Sequence, residues 1–254
     1  MRSYLKRIIF DHLGAKYIYL ILINIKHGLR LPLKANSDGI HILREVFTKK
    51  VYNRYFPEGR KAVIVDIGAH YGFFSLYACL NTMAGSRIIA IEPSPHNVGI
   101  MENNLQASCT NITIVKAAVS DQDGIGYLSL ENPQNHSLYN GRPSKAGTPQ
   151  YIEVRTLSLS SLLRMEQIEK VDFLKMDCEG GEYRIIMGME DCDLEKIEVI
   201  SMELHDRTKE GYTPELIIER LSHAGLHPAN PRPEFKAGFN HVLDFIRNNR
   251  ESTF

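Results

Sequence analysis

The chain has 254 residues, 43% of them hydrophobic, enough to bury one large core, and a single α/β domain behind an N-terminal extension fits that length. Its 30 Lys/Arg and 30 Asp/Glu cancel, which removes a whole-chain electrostatic case for nucleic-acid binding. The balance is uneven: residues 1–60 carry 12 basic and 4 acidic side chains and the remainder 18 and 26, so the two parts are expected to do different work.

The first stretch, "MRSYLKRIIFDHLGAKYIYLILINIKHGLR", mixes Lys and Arg with Tyr4, Tyr17, Tyr19 and aliphatic side chains. Such a segment suits a membrane interface, and it equally suits a helix packed on the domain with a solvated basic face. Residues 1–60 are read as a basic helical extension, peripheral membrane contact being one expectation for it. Its longest apolar run, "YIYLILINI" (17–25), falls far short of the roughly 20 residues that span a bilayer and lacks a small-residue cleavage site. The four cysteines, Cys79, Cys109, Cys178 and Cys192, show no CxxC pairing and no matching His spacing. The expectation is a cytoplasmic protein with reduced thiols.

From residue 62 onward, apolar strand runs alternate with amphipathic segments, the sign of a mostly parallel sheet covered by helices. "AVIVDI" (62–67) is apolar up to Asp66, as a strand buried on both faces should be. A helix is predicted from about Gly72 to Asn81. "RIIAIE" (87–92) is the second strand, after which Ser94 as N-cap and Pro95 at the first helical position open a helix through about Gln106. "NITIVKAAVSD" (111–121) predicts a third strand and a turn. Residues 122–160 break the pattern, because "GIGYLSLEN" and "QYIEVRTLSL" alternate at period two around a tract rich in Pro, Gly, Asn and Ser. They predict a β-hairpin arm with a mobile tip, inserted beside the sheet. "VDFLKMD" (171–177) then predicts a strand, "GGEYRIIMGM" a short helix, "IEVISMELH" (197–205) a strand, and "TPELIIERLSHAG" (213–225) a helix capped by Thr213. "HVLDFIRN" (241–248) is expected to close the sheet.

A strand, a glycine turn and a helix N-terminus leave unpaired N–H groups at the carboxyl edge of a parallel sheet, where open α/β sheets bind ligands. The spacing narrows the ligand. A dinucleotide fingerprint is GxGxxG, whereas here Gly68 and Gly72 are separated by "AHY" and preceded by Asp66. An acid at that point repels a pyrophosphate and suits an ammonium group. Glu92, at the end of the next strand, suits two ribose hydroxyls. An adenosine with a positively charged amino-acid tail satisfies both carboxylates, and that ligand is S-adenosylmethionine. The blander alternative is that the turn serves packing alone and Asp66 caps the following helix.

"VDIGAHYGFFSLYA", "IIAIEPSPHNVGIMENNL", "AVSD", "VRTLSLSSLL", "DFLKMDCEGGEYRII" and "VISMELH" follow in an order and spacing that resembles the FkbM-type S-adenosylmethionine-dependent O-methyltransferases, from about Ser37 to about Arg247. "FLKMDCEGGE" is the most diagnostic piece. The departures are Cys178, where an aliphatic residue is more usual, and Gly181, where alanine is common. The resemblance implies a doubly wound, Rossmann-like, seven-stranded α/β methyltransferase sheet with an antiparallel last strand, over residues 61–250. It implies Asp66, Gly68 and Gly72 around the methionine end of the cofactor, Glu92 at the ribose, and Val119, Ser120 and Asp121 against the adenine, with His70, Phe73, Pro93 and Asp177 also among the cofactor-binding residues. It places hydroxyl groups of sugars, glycans or other natural products among the acceptors.

Asp177 and Glu179 stand two apart at the end of one strand, and Glu203 and His205 two apart at the end of the next. Period two points each pair to one side. Methyl transfer needs an aligned hydroxyl and a group to take its proton. His205 has the ordinary pKa for that task, with Glu203 or Glu179 to orient it; a divalent metal on the same groups, Asp177 included, is the other mechanism. Plain structural roles compete with both: a helix-start carboxylate such as Glu182 is favoured by the dipole alone, and Lys175, inside an apolar strand, must pair with one of these acids or reach solvent. The same residues bear on two rival functions. A nucleotide-dependent Rossmann oxidoreductase or epimerase is disfavoured by the missing GxGxxG and TyrxxxLys, and a non-catalytic binding module by the acids at the strand ends.

Overall fold

Short apolar runs fold into parallel strands whose carboxyl ends share one edge. The computed structural model describes residues 37–106, 108–129, 138–139, 151–205, 207, 211–229 and 241–248. The strands are β1 (Val63–Ile67), β2 (Arg87–Ile91), β3 (Ile112–Val115), β4 (Ala118–Ser120), β5 (Gly124–Ser129), β6 (Leu138–Tyr139), β7 (Tyr151–Ser158), β8 (Phe173–Met176), β9 (Val199–Leu204), β10 (Leu226–Pro228) and β11 (His241–Arg247). The helices are α1 (Ser37–Arg44), α2 (Phe73–Asn81), α3 (Pro95–Leu105), α4 (Leu159–Met165), α5 (Glu182–Gly188), α6 (Asp191–Leu194) and α7 (Pro214–His223). A π-helical turn, Glu45–Lys49, follows α1.

Seven strands form the main sheet in the order β10-β11-β9-β8-β1-β2-β3. Strands β3, β2, β1, β8 and β9 run parallel, and β11 is antiparallel to both of its neighbours. The alternation within β1 explains the two-sided core. Val65 and Ile67 join Tyr183 and Ile186 on one face, whereas Ile64 joins Phe74, Tyr77 and Phe173 on the other. The predicted seven-stranded α/β sheet with an antiparallel final strand is therefore present.

The expected arm is present as well, in a larger form. β5 and β7 pair antiparallel from Gly124↔Thr156 to Ser129↔Tyr151, β6 adds to β5, and β4 adds to β7 in parallel, giving a four-stranded second sheet. The expected mobile tip lies mostly outside the described residues. So does the tyrosine-rich segment 1–36, and with it the expected membrane contact. No helix among the described residues is long and apolar enough to cross a membrane. Residues further along the extension belong to the core: Leu43, Val46, Phe47, Tyr52 and Phe56 are buried with Phe74, Tyr77 and Phe173.

Four local expectations need correction. The run 111–121 is two strands, because the chain turns at Lys116 and Ala117, where Ala117 N donates to Val115 O, and passes from the main sheet to the second. "HVLDFIRN" does not close the sheet; it inserts between β9 and β10, and the three-residue β10 is the edge. Thr213 stands at the N-cap of α7 without a side-chain cap bond, unlike Ser94, whose hydroxyl accepts from Asn97 N as predicted. Finally, Cys79 in α2 and Cys109 beyond α3 form a disulfide across Cα atoms 5.8 Å apart, leaving Cys178 and Cys192 free. Helix packing joins cysteines 30 residues apart, a pairing that no short spacing announces. Denatured, unreduced protein is expected to take up two thiol-blocking groups by mass and reduced protein four; four without reductant would show the pair to be open.

Candidate active site

The glycine loop is shaped by how closely the ends of β1 and β8 approach. Gly68 has φ +74, and a Cβ there would collide with the backbone carbonyl of Asp177, so no other residue fits. Gly68 N and Ala69 N both donate to Ile91 O, which ties the loop to the end of β2. Glu92 follows directly, 4% exposed. Its Oε2 accepts from His70 N at 2.9 Å, and its Oε1 accepts from Ser94 N at 3.0 Å and Asn97 Nδ2 at 3.1 Å. One carboxylate thus fixes the loop against the start of α3. Gly72 has a different reason to be glycine: at φ +77 it begins α2, and a Cβ would press Met101 at 2.7 Å. It serves the packing of α2 on α3.

A cavity of about 420 Å³ opens above these strand ends. Of the predicted residues, Gly68, His70, Glu92, Pro93, Val119, Ser120, Asp177 and Glu179 line it. Asp66, Gly72, Phe73, Asp121, Glu203 and His205 do not border it. Phe73 is core, and Asp121 is exposed, accepting from the Ser120 hydroxyl at 2.8 Å. The far wall comes from segments outside the predicted motifs: Leu128 and Leu138 of the second sheet, and Ile42, Val46 and Tyr52 of the N-terminal segment. Arg184 and Arg207 line it too, Arg207 Nη2 donating to Glu179 O at 2.6 Å.

Lys175 is the centre of charge, and it finds the acid partners that its place in an apolar strand demands. In the β1/β8 register it stands directly opposite Asp66. Its Nζ lies 3.3 Å from Asp66 Oδ1 and 3.8 Å from Asp177 Oδ2, and it donates to Gly68 O at 2.9 Å. Burial works against its charge, but Asp66 and Asp177 outweigh burial and its pKa is raised. Asp66 itself is fully buried, its Oδ2 accepting from Ser75 Oγ at 2.7 Å. The expectation that Asp66 meets a ligand ammonium directly is corrected: its charge is spent on Lys175, which cross-strand register supplies and linear spacing conceals. Asp177 is different. Its side chain is 29% exposed, its Oδ2 accepts from Tyr52 Oη at 3.2 Å, and its Oδ1 has no partner among the described residues.

His205 is not the free imidazole the sequence suggests. Nε2 lies 3.2 Å from Glu179 Oε2 and Nδ1 lies 3.1 Å from Glu182 Oε1, which also accepts from Cys178 N at 2.9 Å. Burial disfavours the cation, yet Glu179 and Glu182 overcome burial and push its pKa up to about 11. At neutral pH the ring carries both protons and has no lone pair for a general base. Asp177, Glu179 and His205 offer ligand atoms within 4.8 Å of one another. With both imidazole nitrogens facing carboxylates, the trio is arranged as an ion-paired imidazolium. Glu203 is absent from the trio; its charge is felt by Tyr52. Asp177 and Glu179 reach the same cavity as expected, although Glu179 takes φ +56 in the turn after β8 rather than continuing the strand.

Residues 66–250 match the profile of a family described as the methyltransferase FkbM domain. The 31-O-demethyl-FK506 methyltransferase FkbM of Streptomyces tacrolimicus is 26% identical over 218 residues, spanning 72% of this chain and 83% of that protein. The hexuronic acid methyltransferase AglP of Haloferax volcanii is 24% identical over 164 residues, spanning 65% and 63%. A solved methyltransferase from Pyrococcus furiosus aligns with TM-score 0.49 and 18% identity, covering 94% of this chain and 99% of that one.

Proposed function

Since the chain belongs to the FkbM methyltransferase family and is an S-adenosylmethionine-dependent enzyme, we propose that it moves the methyl group onto a hydroxyl oxygen of a sugar, glycan or other small natural product. The named position of the Streptomyces relative, 31-O, and the sugar acid in the name of the Haloferax relative support that class.

Bound S-adenosylmethionine supplies an electrophilic methyl group on a cationic sulfur. The lining residues fit it: Glu92 for the ribose hydroxyls, Ala117, Ala118 and Val119 for the flat adenine, and the Gly68 loop for the amino-acid end. The observation that carries the chemistry is Asp177, whose Oδ1 has no partner among the described residues while Oδ2 is held by Tyr52. In this reading Oδ1 accepts the hydrogen bond of the acceptor hydroxyl. The cofactor would supply the methyl group and take back the C–S electron pair at its sulfur, so that a cationic sulfur and a carboxylate would become a thioether and a carboxylic acid, with Asp177 as the residue that would receive the hydroxyl proton. Glu179, held by the His205 cation, borders the same space and shapes it. Acceptor contact with the far wall and peripheral membrane contact through residues 1–36 belong to the same proposal.

Incubation with methyl-labelled S-adenosylmethionine and panels of sugars, glycans and hydroxylated natural products tests it. The label is expected in a base-stable ether, equally with and without chelator. Label released by mild base would mean a carboxylate acceptor, loss of transfer with chelator would mean a metal mechanism, and binding of NAD in place of S-adenosylhomocysteine would remove the reading altogether.

A further inference from the structure

Tyr52 lies upstream of the family match, which begins at residue 66, yet it reaches the centre of the site. It is 6% exposed, and its ring is fixed edge-on against Phe74 at 5.6 Å between centroids. Lys175 Nζ stands 5.6 Å from the ring centroid on its way to Asp66 and Asp177. Burial first, then the charges of Asp177, Glu203 and Asp66, raise the phenol well above its ordinary pKa, so its hydroxyl stays a donor. That hydroxyl donates to Asp177 Oδ2.

A carboxylate at the end of a strand has two equivalent oxygens and a soft terminal torsion. With Oδ2 occupied by Tyr52 and facing Lys175, only Oδ1 is left for a ligand, and the torsion is set by the bond that holds Oδ2. The same short segment places Ile42 and Val46 on the cavity wall, so the aim of Asp177 and the wall facing it come from one piece of chain.

We propose that Tyr52 is a positioning residue for methyl transfer: it aims Asp177 Oδ1 at the acceptor hydroxyl and makes the segment from Ile42 to Tyr52 the acceptor side of the site. This rests on the reading of Asp177 as proton acceptor.

Tyr52→Phe keeps the ring and its packing and removes only the hydroxyl. With the hydroxyl compound that takes up label in the screen above, kcat is expected to fall about 10- to 100-fold, while KM and the affinity for S-adenosylhomocysteine stay within about twofold. Phenol-carbon NMR of tyrosine-labelled protein gives a second readout, independent of that variant and of turnover. In Asp177→Asn, one high-titrating tyrosine signal is expected to move to a lower midpoint, because the loss of the Asp177 charge relieves part of what holds Tyr52 up. Lys175, Asp66 and Glu203 face the same phenol and are unchanged in that comparison. Wild-type kcat in Tyr52→Phe beside an inactive Asp177→Asn would overturn the positioning role alone. Full activity in Asp177→Asn would overturn the proton-acceptor reading beneath it, and a tyrosine spectrum unchanged in Asp177→Asn would overturn the contact.

Discussion

Asp177→Asn is expected to lower turnover by about 10²- to 10⁴-fold while S-adenosylhomocysteine still binds. The substitution preserves shape, and its amide oxygen can still accept from Tyr52. Lys175 keeps Asp66, the nearer of its two carboxylates at 3.3 Å against 3.8 Å, so the buried cation is not orphaned. What disappears is the charge of a half-buried carboxylate whose Oδ1 has no partner among the described residues. The check is single-turnover transfer of labelled methyl, with cofactor affinity measured in parallel by calorimetry. If transfer is intact, the proton goes elsewhere, and Glu179, the next carboxylate on the cavity wall, becomes the group to replace.

His205→Gln is expected to destabilise the fold by about 3 to 5 kcal/mol near neutral pH, because it removes the cation between two carboxylates. Glu182 is fully buried, and its Oε2 has no hydrogen-bond partner among the described residues, so its negative charge depends on His205 and Cys178 N. The pH dependence has a definite sign. The folded-state pKa of about 11 lies above the ordinary 6.5, so the stabilisation is complete below about pH 6.5 and is lost as pH rises toward 11. Denaturant melts of both proteins across that range should therefore converge, the wild type losing up to about 1.4 kcal/mol per pH unit relative to the variant. A gap that stays constant, or widens, with rising pH would show that the ring is neutral in the folded state.

Much of this was legible before any coordinates. Continuous apolar runs gave the parallel strands because a strand buried on both faces has no polar side to show, and Ser94 with Pro95 announced α3 because both act within one turn. Glu92 and Gly68, picked out by local chemistry as an acid and a glycine at strand ends, line the cavity. What stayed hidden depended on register and on distant partners. Asp66 looked like a ligand group until strand pairing set Lys175 opposite it. His205 looked like a base until Glu182, readable in the sequence only as a helix-start acid, proved to lie 3.1 Å from its ring. Tyr52 carried no periodic signal at all, and its partner is 125 residues away. The Cys79–Cys109 pair was hidden for the same reason.

The position of β11 carries a consequence for how the protein is made. Residues 199–204 emerge from the ribosome some forty residues before 241–247, the strand that pairs with them, and β10 comes out between the two before the strand it pairs with exists. Until then β9 is a nascent edge with unmet hydrogen bonds and a row of apolar side chains, the kind of surface that invites pairing with another chain. The sheet is completed only when β11 slots between β9 and β10 and buries Phe245, so for this fold cooperative completion waits on a strand made well after the one it covers.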